Sequence, residues 1–338
     1  MIKTFQAVDD AIDKNADIAE AILRMGLEMY NIDPNDKDLN DAATSNDLDK
    51  ARSTIHQMYR DFSKEAANER HATFTPMLNA LNEAFDCMSP AERYMVSVLV
   101  PGAGLGRLML EVCAAGYTVE GNELSQHQLL ASNWILNRQP LAEKHELYPW
   151  ALSFSNHVSR ANQMQKVMIP DVAPGPMLTQ ASENIKSEVH PYERMSMTAG
   201  DFCALYKGTE YAEKFDAVLT CFFIDTAPNV ISYVDTVRHC LRPGGVWINL
   251  GPLLWHFEGN RSVSREDDRV KEHEGELLGI AEPGSVELTD EEVISLLQVR
   301  GFEVVDHDNK SHQVGYIQPP KSMLQNLYRP SFWVAERT

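Results

Sequence analysis

The run MVSVLVPGAGLGRL, residues 95–108, carries the reading of the fold. Six residues that favour extended chain lead into Gly102, Gly104 and Gly106, and a helical spacing of apolar residues then continues to Cys113. That is the strand, glycine turn and helix that open a nucleotide-binding α/β half. Without a side chain, a glycine lets a ligand approach the backbone and lets the next helix pack closely. A glycine turn alone is equally compatible with tight packing and no ligand. The next strand, expected over 117–121, runs into Gly121-Asn122-Glu123, about twenty residues beyond the turn. A carboxylate there, at the carboxyl edge of the sheet, can accept both hydroxyls of a ribose.

Working outward, further strands are expected over 194–198, 215–222, 246–250, 302–306 and 331–335, with helices over 125–137, 230–241 and 289–299. Strand and helix alternate, so the economical fold is α/β: a mainly parallel sheet of seven strands with helices on both faces. Upstream, Phe5, Val8, Ile12, Ile18, Ile22, Met25 and Met29 recur three or four apart, predicting a packing helix over 5–30. Residues 31–46 read as a solvated connection, 48–69 as a second helix, and Thr75-Pro76 as the cap and first residue of a third. The expected organisation is a helical region over 1–92, contributing to the cofactor site, and an α/β domain over 93–338. Two segments interrupt the alternation. Residues 139–191, with Pro140, Pro149, Pro170, Pro174 and Pro176 but also Leu147, Tyr148, Trp150 and Phe154, are expected to form an ordered insertion, since those side chains should leave water. Residues 259–283, with the run REDDRVKEHEGE, read as a solvated loop or exposed helix face.

Composition removes several function classes. With 49 Asp+Glu against 30 Lys+Arg, the net charge of -19 repels polyphosphate, so nucleic acid is not an expected partner. The five cysteines, odd in number and without a C-x-x-C pair, suggest neither a disulfide framework nor a metal site. A reducing compartment, cytoplasm or nucleus, is the expectation, since the amino terminus MIKTFQAVDDAIDKN lacks the apolar run of a signal peptide. The most apolar stretch, 95–110, is too short and too broken by Pro101, the glycines and Arg107 to span a membrane. Oligomeric state has no sequence signal.

The glycine turn and Glu123 suit a nicotinamide dinucleotide as well as S-adenosylmethionine. The third glycine comes one residue earlier than in the longer dinucleotide pattern, and the segment TAGDF follows the third strand. There Asp201 can accept from an adenine amine and Phe202 can cover its ring. This order resembles a class I, Rossmann-like, S-adenosylmethionine-dependent methyltransferase. The strings QMYRDFS, VLVPGAGLGRL, GNELS, TAGDF, CFFIDTAPNVISYVDT and LRPGGVWINLGPLLWHF resemble, more narrowly, the carnosine N-methyltransferase family, whose members methylate an imidazole nitrogen of a histidine-containing dipeptide. The resemblance runs from about residue 52 to the carboxyl terminus, leaving the first fifty residues without one. Leu124 and Pro228 stand where the family pattern has Trp and His, and Trp255 where it has Tyr.

The resemblance implies a residue-by-residue site. Gln57 and Arg60 match the pair that holds the methionine end of the cofactor, and a guanidinium fork suits its carboxylate. Gly102 and Gly104 would admit the cofactor, Glu123 its ribose, Asp201 and Phe202 its adenine, and Cys221 would line the cleft. For the acceptor, Asp225 matches the imidazole-binding carboxylate and is the expected catalytic residue, with His256, Tyr316 and Tyr328 completing the substrate site. Neutral imidazole has one N–H and one bare nitrogen, and only the bare one can take a methyl group. The substrate implied is a small histidine-containing peptide or a protein histidine, the cofactor S-adenosyl-L-methionine and its product S-adenosyl-L-homocysteine. Singly, each residue also has a plain structural reading: Asp225 as a helix cap, His256 as a core histidine, Cys221 as a buried thiol, and the tyrosines as half-buried aromatics. The rival functions are a nicotinamide-dependent oxidoreductase and a non-catalytic cofactor-binding scaffold. No Asn/Asp-Pro-Pro-aromatic string follows the fourth strand, which argues against amide or adenine amino methylation.

Overall fold

The computed structural model describes residues 2–39, 43–258 and 285–338. Three helices come first: α1 (Ile2–Tyr30), α2 (Ser45–Phe62) and α3 (Ala67–Ala84). The α/β part follows as β1 (Ser97–Pro101), α4 (Arg107–Ala114), β2 (Thr118–Glu123), α5 (Gln126–Asn137), β3 (His145–Leu147), α6 (Arg160–Gln163), β4 (Val167–Ile169), α7 (Pro174–Ile185), α8 (Pro191–Arg194), β5 (Met195–Ala199), α9 (Phe202–Tyr206), β6 (Phe215–Cys221), α10 (Val230–Cys240) and β7 (Leu241–Gly251). Beyond the segment that is not described come α11 (Asp290–Val299), β8 (Phe302–Asp308), β9 (Val314–Gly315), β10 (Leu327–Tyr328) and β11 (Ser331–Arg337).

The main sheet has seven strands in the order β5-β2-β1-β6-β7-β11-β8. The first five are mutually parallel, and β11 runs antiparallel to both its neighbours. This is the expected class I methyltransferase arrangement, and its chain order reverses beside β1. Open α/β sheets bind ligands at such a switch, outside the carboxyl ends of the strands. Side chains alternate across the sheet with the period of a strand: Val98 and Val100 enter one core, while Leu99 enters the other. The first core holds Ile18, Met25, Met58, Phe62, Met77 and Leu81 of α1–α3 together with the strands and α4, so the amino-terminal helices share the core of the sheet. The second core lies under α9, α10 and α11.

Several expectations need correction. The stripe that α1 buries runs through Val8, Ala11, Asn15, Ile18, Met25 and Gly26, while Phe5 and Met29 are exposed. Close approach explains the choice: a Cβ on Gly26 would lie 3.1 Å from Leu130 of α5, and Asn15 exchanges two hydrogen bonds with the backbone of Tyr148. Helix α2 starts at Ser45, inside the expected connection, because Thr44 and Asp47 form a capping box. It stops at Phe62, and α3 starts at Ala67 with Pro76 in its interior. Proline inside a helix costs about 3 kcal/mol. Burial of Arg70, Thr73 and Phe74 before it and of Met77 and Leu81 after it carries the helix through.

Strand β7 begins at Leu241 because that residue pairs with Phe215, ahead of the expected start. The short antiparallel pairs β3–β4 and β9–β10 were not expected from the sequence. Within the insertion, Leu147 and Trp150 are buried as expected, but Phe154 stays 49% exposed under the guanidinium of Arg160. The reading of 259–283 falls outside the described residues.

Candidate active site

A cleft of about 1310 Å³ opens over the carboxyl ends of β1, β2, β5, β6 and β7, and α2 forms its opposite wall. Gln57, Arg60, Gly102, Gly104, Glu123, Asp201, Phe202, Cys221, Asp225, His256, Tyr316 and Tyr328 all line it. The sheet brings Gly102, Gly104, Glu123, Asp201, Phe202, Cys221, Asp225 and His256 together, because five neighbouring strands deliver the residues at and beyond their ends to one edge, while Gln57 and Arg60 come from α2 and Tyr316 and Tyr328 from the β9–β10 pair.

The glycine turn is a left-handed passage with φ of +63° at Gly102 and +57° at Gly104, which non-glycine residues adopt at a cost. A Cβ on Gly102 would lie 2.4 Å from the ring of Phe223, so this glycine makes room for a neighbour of the cleft. The N–H of Gly104 donates to Glu123 Oε2 at 2.9 Å, and the N–H of Ser125 to Glu123 Oε1 at 2.8 Å. Burial pushes the Glu123 carboxyl up, and those N–H groups work against it. Each oxygen retains a lone pair for a hydroxyl donor, as a ribose requires. Asp201 caps α9 by accepting the Ala204 N–H at 2.8 Å. Phe202 is only 3% exposed, with the rings of Phe223 and Tyr233 set edge-on against it, so it offers an adenine less of its ring than a free aromatic would.

On the opposite wall, Arg60 is buried with Asp61 Oδ1 3.3 Å from Nη1 and Glu69 Oε1 3.4 Å from Nε. Burial opposes its charge, but the acidic neighbours more than offset this and hold the guanidinium above its ordinary range. Its Nε and Nη2 are buried with no hydrogen-bond partner. Nε still faces Glu69, so Nη2 is the donor left for a ligand carboxylate, and such an orphan is rare and costly. The residues present therefore fit a cofactor with a ribose at Glu123 and an amino-acid end at Arg60. Cys221 lines the cleft beside Arg60, its thiol pushed up to about 11 mainly by burial, which makes it an unreactive wall rather than a nucleophile.

The acceptor end is built by loops. Asp225 sits in a single 3-10 turn, Ile224–Thr226, and is 3% exposed. It does not cap α10, a role that belongs to Asn229. Its Oδ2 accepts the Leu254 N–H at 3.2 Å, while its own carbonyl accepts the His256 N–H at 3.0 Å, tying the segment after β7 to the segment after β6. Burial pushes its carboxyl up to about 6, against the opposing pull of His256 and the Leu254 N–H. His256 is exposed at the cleft, so it is no core histidine. Tyr316 and Tyr328 are brought together by the β9–β10 pair. The Tyr316 hydroxyl accepts from Gln57 Nε2 at 3.0 Å. Leu124 and Pro228, two of the departures from the family pattern, line the cleft, whereas Trp255 donates its indole N–H to Leu288 O and packs with the second core.

Sequence reasoning missed Phe222 and Glu69. Phe222 follows β6 with a φ of +53°, and its ring stacks on Tyr316 at 4.8 Å and meets Tyr328 edge-on at 5.9 Å. The doubled Phe after a buried strand was a possible signal, but its backbone conformation was not. Glu69 lies on a different helix from Arg60, and nothing in their spacing announces the contact.

The family model for carnosine N-methyltransferase matches residues 37–338. The carnosine N-methyltransferase of Schizosaccharomyces pombe is 36% identical over 98% of this chain and 82% of its own length. The mouse carnosine N-methyltransferase is 35% identical over 96% of this chain and 73% of its own. The alignment with the yeast protein thus takes in most of the first fifty residues, where the motifs showed no resemblance. Among solved structures, a methyltransferase from Methanosarcina mazei is 15% identical over 71% of this chain and 92% of its own, with a TM-score of 0.39. The cofactor is S-adenosylmethionine and not a nicotinamide, and the protein is a methyltransferase of the carnosine N-methyltransferase family, to which this chain belongs.

Proposed function

We propose that the acceptor is a histidine-containing dipeptide of the carnosine type, and that methyl transfer goes to the imidazole nitrogen nearer Cβ, giving anserine from carnosine. The supporting observation is Asp225: a buried carboxylate at the cleft, with one hydrogen bond to Leu254 and capacity for more. In this reading it accepts the N–H of a neutral imidazole and so selects which nitrogen is left bare. S-adenosylmethionine, when bound, supplies an electrophilic methyl group on a sulfonium. The Asp225 carboxylate also stabilises the imidazolium that develops as the ring is alkylated, so its contribution grows toward the transition state. Imidazole with a pKa near ~6.5 is mostly neutral at neutral pH, so no base is required. His256, Tyr316 and Tyr328 hold the acceptor, while Arg60 and Glu123 hold the two ends of the cofactor. Orientation and electrostatics then supply the acceleration. The acidic composition and five cysteines that form no disulfide among the described residues favour the cytoplasm or nucleus as its location.

The test is transfer of a labelled methyl group to carnosine, free histidine and a cell lysate, with the methylated nitrogen identified by NMR. Labelling of carnosine at the nitrogen nearer Cβ is expected. Labelling confined to lysate protein would overturn the dipeptide, and labelling at the distal nitrogen would overturn the role of Asp225 in choosing the position.

A further inference from the structure

The two ends of the cleft meet at one carboxylate oxygen. Glu69, in the first turn of α3, is 11% exposed at its side chain, and its Oε1 lies 3.4 Å from Arg60 Nε. The same oxygen accepts the backbone N–H of Ile317 at 2.8 Å. Ile317 directly follows Tyr316 and has a φ of +49°. A β-branched residue in the left-handed region is a true outlier, one that persists only when its surroundings hold it there. The Glu69 bond is what grips that backbone. Tyr316 is held in the same knot: the Arg60 guanidinium lies 4.8 Å over its ring, Phe222 stacks on it, and Gln57 donates to its hydroxyl.

We infer that Glu69 is a positioning residue through which occupancy of the cofactor's carboxylate subsite on Arg60 sets the placement of Tyr316 and the acceptor wall. A carboxylate arriving at Nη2 of Arg60, which has no hydrogen bond, takes up part of the positive field that Glu69 now shares through Nε. Glu69 then leans more fully on the Ile317 N–H and holds the strained turn more firmly. An acceptor bound against Tyr316 meets a better-formed wall, and by linkage it tightens the cofactor by the same factor. The inference rests on the proposed acceptor reading, since it takes carnosine to bind against Tyr316.

The experiment is calorimetric titration of S-adenosylhomocysteine into the full-length protein, with and without saturating carnosine. The wild type is expected to bind S-adenosylhomocysteine roughly 5- to 50-fold more tightly with carnosine present, within the usual range of coupling between sites. In Glu69→Gln the enhancement should shrink to within about twofold, while binding of S-adenosylhomocysteine alone changes less than about fivefold. A role confined to stability would lower the melting point and leave that ratio intact. Ile317→Gly relaxes the same turn from the other side, leaves Glu69 in place, and is expected to lose the enhancement as well, so the test survives a failure of either variant to fold. Absence of any carnosine binding to the wild type would overturn the acceptor reading and this inference together. Binding without enhancement, or enhancement kept in either folded variant, would overturn this inference alone.

Discussion

Two buried aspartates, on opposite sides of the glycine turn, show how the same side chain serves different ends. Asp171, in the insertion after β4, accepts Arg107 Nη1 on one oxygen and Arg70 Nη2 on the other, both at 2.6 Å. The two arginines reach on to the carbonyls of Arg60, Asp61 and Ser63, and the Asp171 N–H donates to Phe62 O. Those bonds lock the end of α2, and with it Arg60, against α3, α4 and the insertion. Asp225 is the more deeply buried but has one backbone N–H at 3.2 Å and the exposed His256 as its company. A buried carboxylate that meets a guanidinium on each oxygen holds a structure together. One whose bonds are incomplete is costly to keep, and its remaining capacity belongs to a ligand.

That contrast can be broken by substitution, and the largest effect is expected at Asp225. Asp225→Ala should lower kcat/KM for carnosine by roughly 10³- to 10⁴-fold. Its affinity for S-adenosylhomocysteine, measured by calorimetry, should stay within about threefold, since an acceptor residue leaves the cofactor end alone. A parallel fall in both would place Asp225 in the cofactor site. Asp171→Ala should instead strand two buried arginines, costing about 3–5 kcal/mol. At roughly 2–4 °C per kcal/mol for a large domain, the thermal midpoint should drop on the order of 10 °C. A shift of a degree or two would mean that the network is ornamental.

A third change sharpens the comparison from the ribose side. Both oxygens of Glu123 accept backbone N–H groups, so Glu123→Gln must turn its NH2 toward a donor. Cofactor affinity should weaken by roughly 10- to 100-fold, about 1.4–3 kcal/mol, readable by the same titration. Unchanged affinity would remove Glu123 from the ribose site.

Asp225 also predicts a stability effect of opposite sign to the usual one. Its folded pKa, about 6, lies above the ordinary carboxylate value. The native state therefore binds the proton more tightly, and stability is lost as pH rises from about 4 through 6. Asp225→Asn escapes that loss. It should match the wild type near pH 4 and exceed it at pH 8 by on the order of 1–3 kcal/mol in denaturant titrations, while remaining the poorer enzyme. Equal stability at both values of pH would contradict the burial cost.

The smallest effect is in the acid limb of activity. Both an ionised Asp225, titrating at about 6, and a neutral imidazole, near ~6.5, are needed. The plot of log kcat/KM against pH should therefore steepen to a slope of two below pH ~6. A slope of one throughout would leave only the acceptor titrating.

The strands along the chain, the glycine turn and the place of Glu123 were legible because they depend on local rules: period-two burial, the φ that glycine permits, and the position of a carboxylate after a strand. The places of Asp201 and Cys221 at the ends of strands were readable for the same reason. Around the acceptor, family motifs pointed to Asp225, His256, Tyr316 and Tyr328, yet no local rule joins residues so far apart in sequence. The β9–β10 pair does that, and its two-residue strands give no periodic signal. Phe154 was misjudged for a related reason: hydrophobicity says that a ring prefers burial, but only packing decides whether a partner reaches it, and here Arg160 does so from outside.

By itself, then, the sequence determined an α/β sheet, its glycine turn and the carboxylate that ends the next strand, because those follow from interactions between near neighbours along the chain. Tertiary structure alone decided that Arg60 faces Glu69 through Nε and keeps Nη2 without a hydrogen bond, that Asp171 meets an arginine on each oxygen while Asp225 meets one backbone N–H, and that one oxygen of Glu69 touches both Arg60 and Ile317. Those are statements about which lone pairs and N–H groups remain unmatched after every neighbour has been placed. No stretch of chain carries that count until the whole of it is packed.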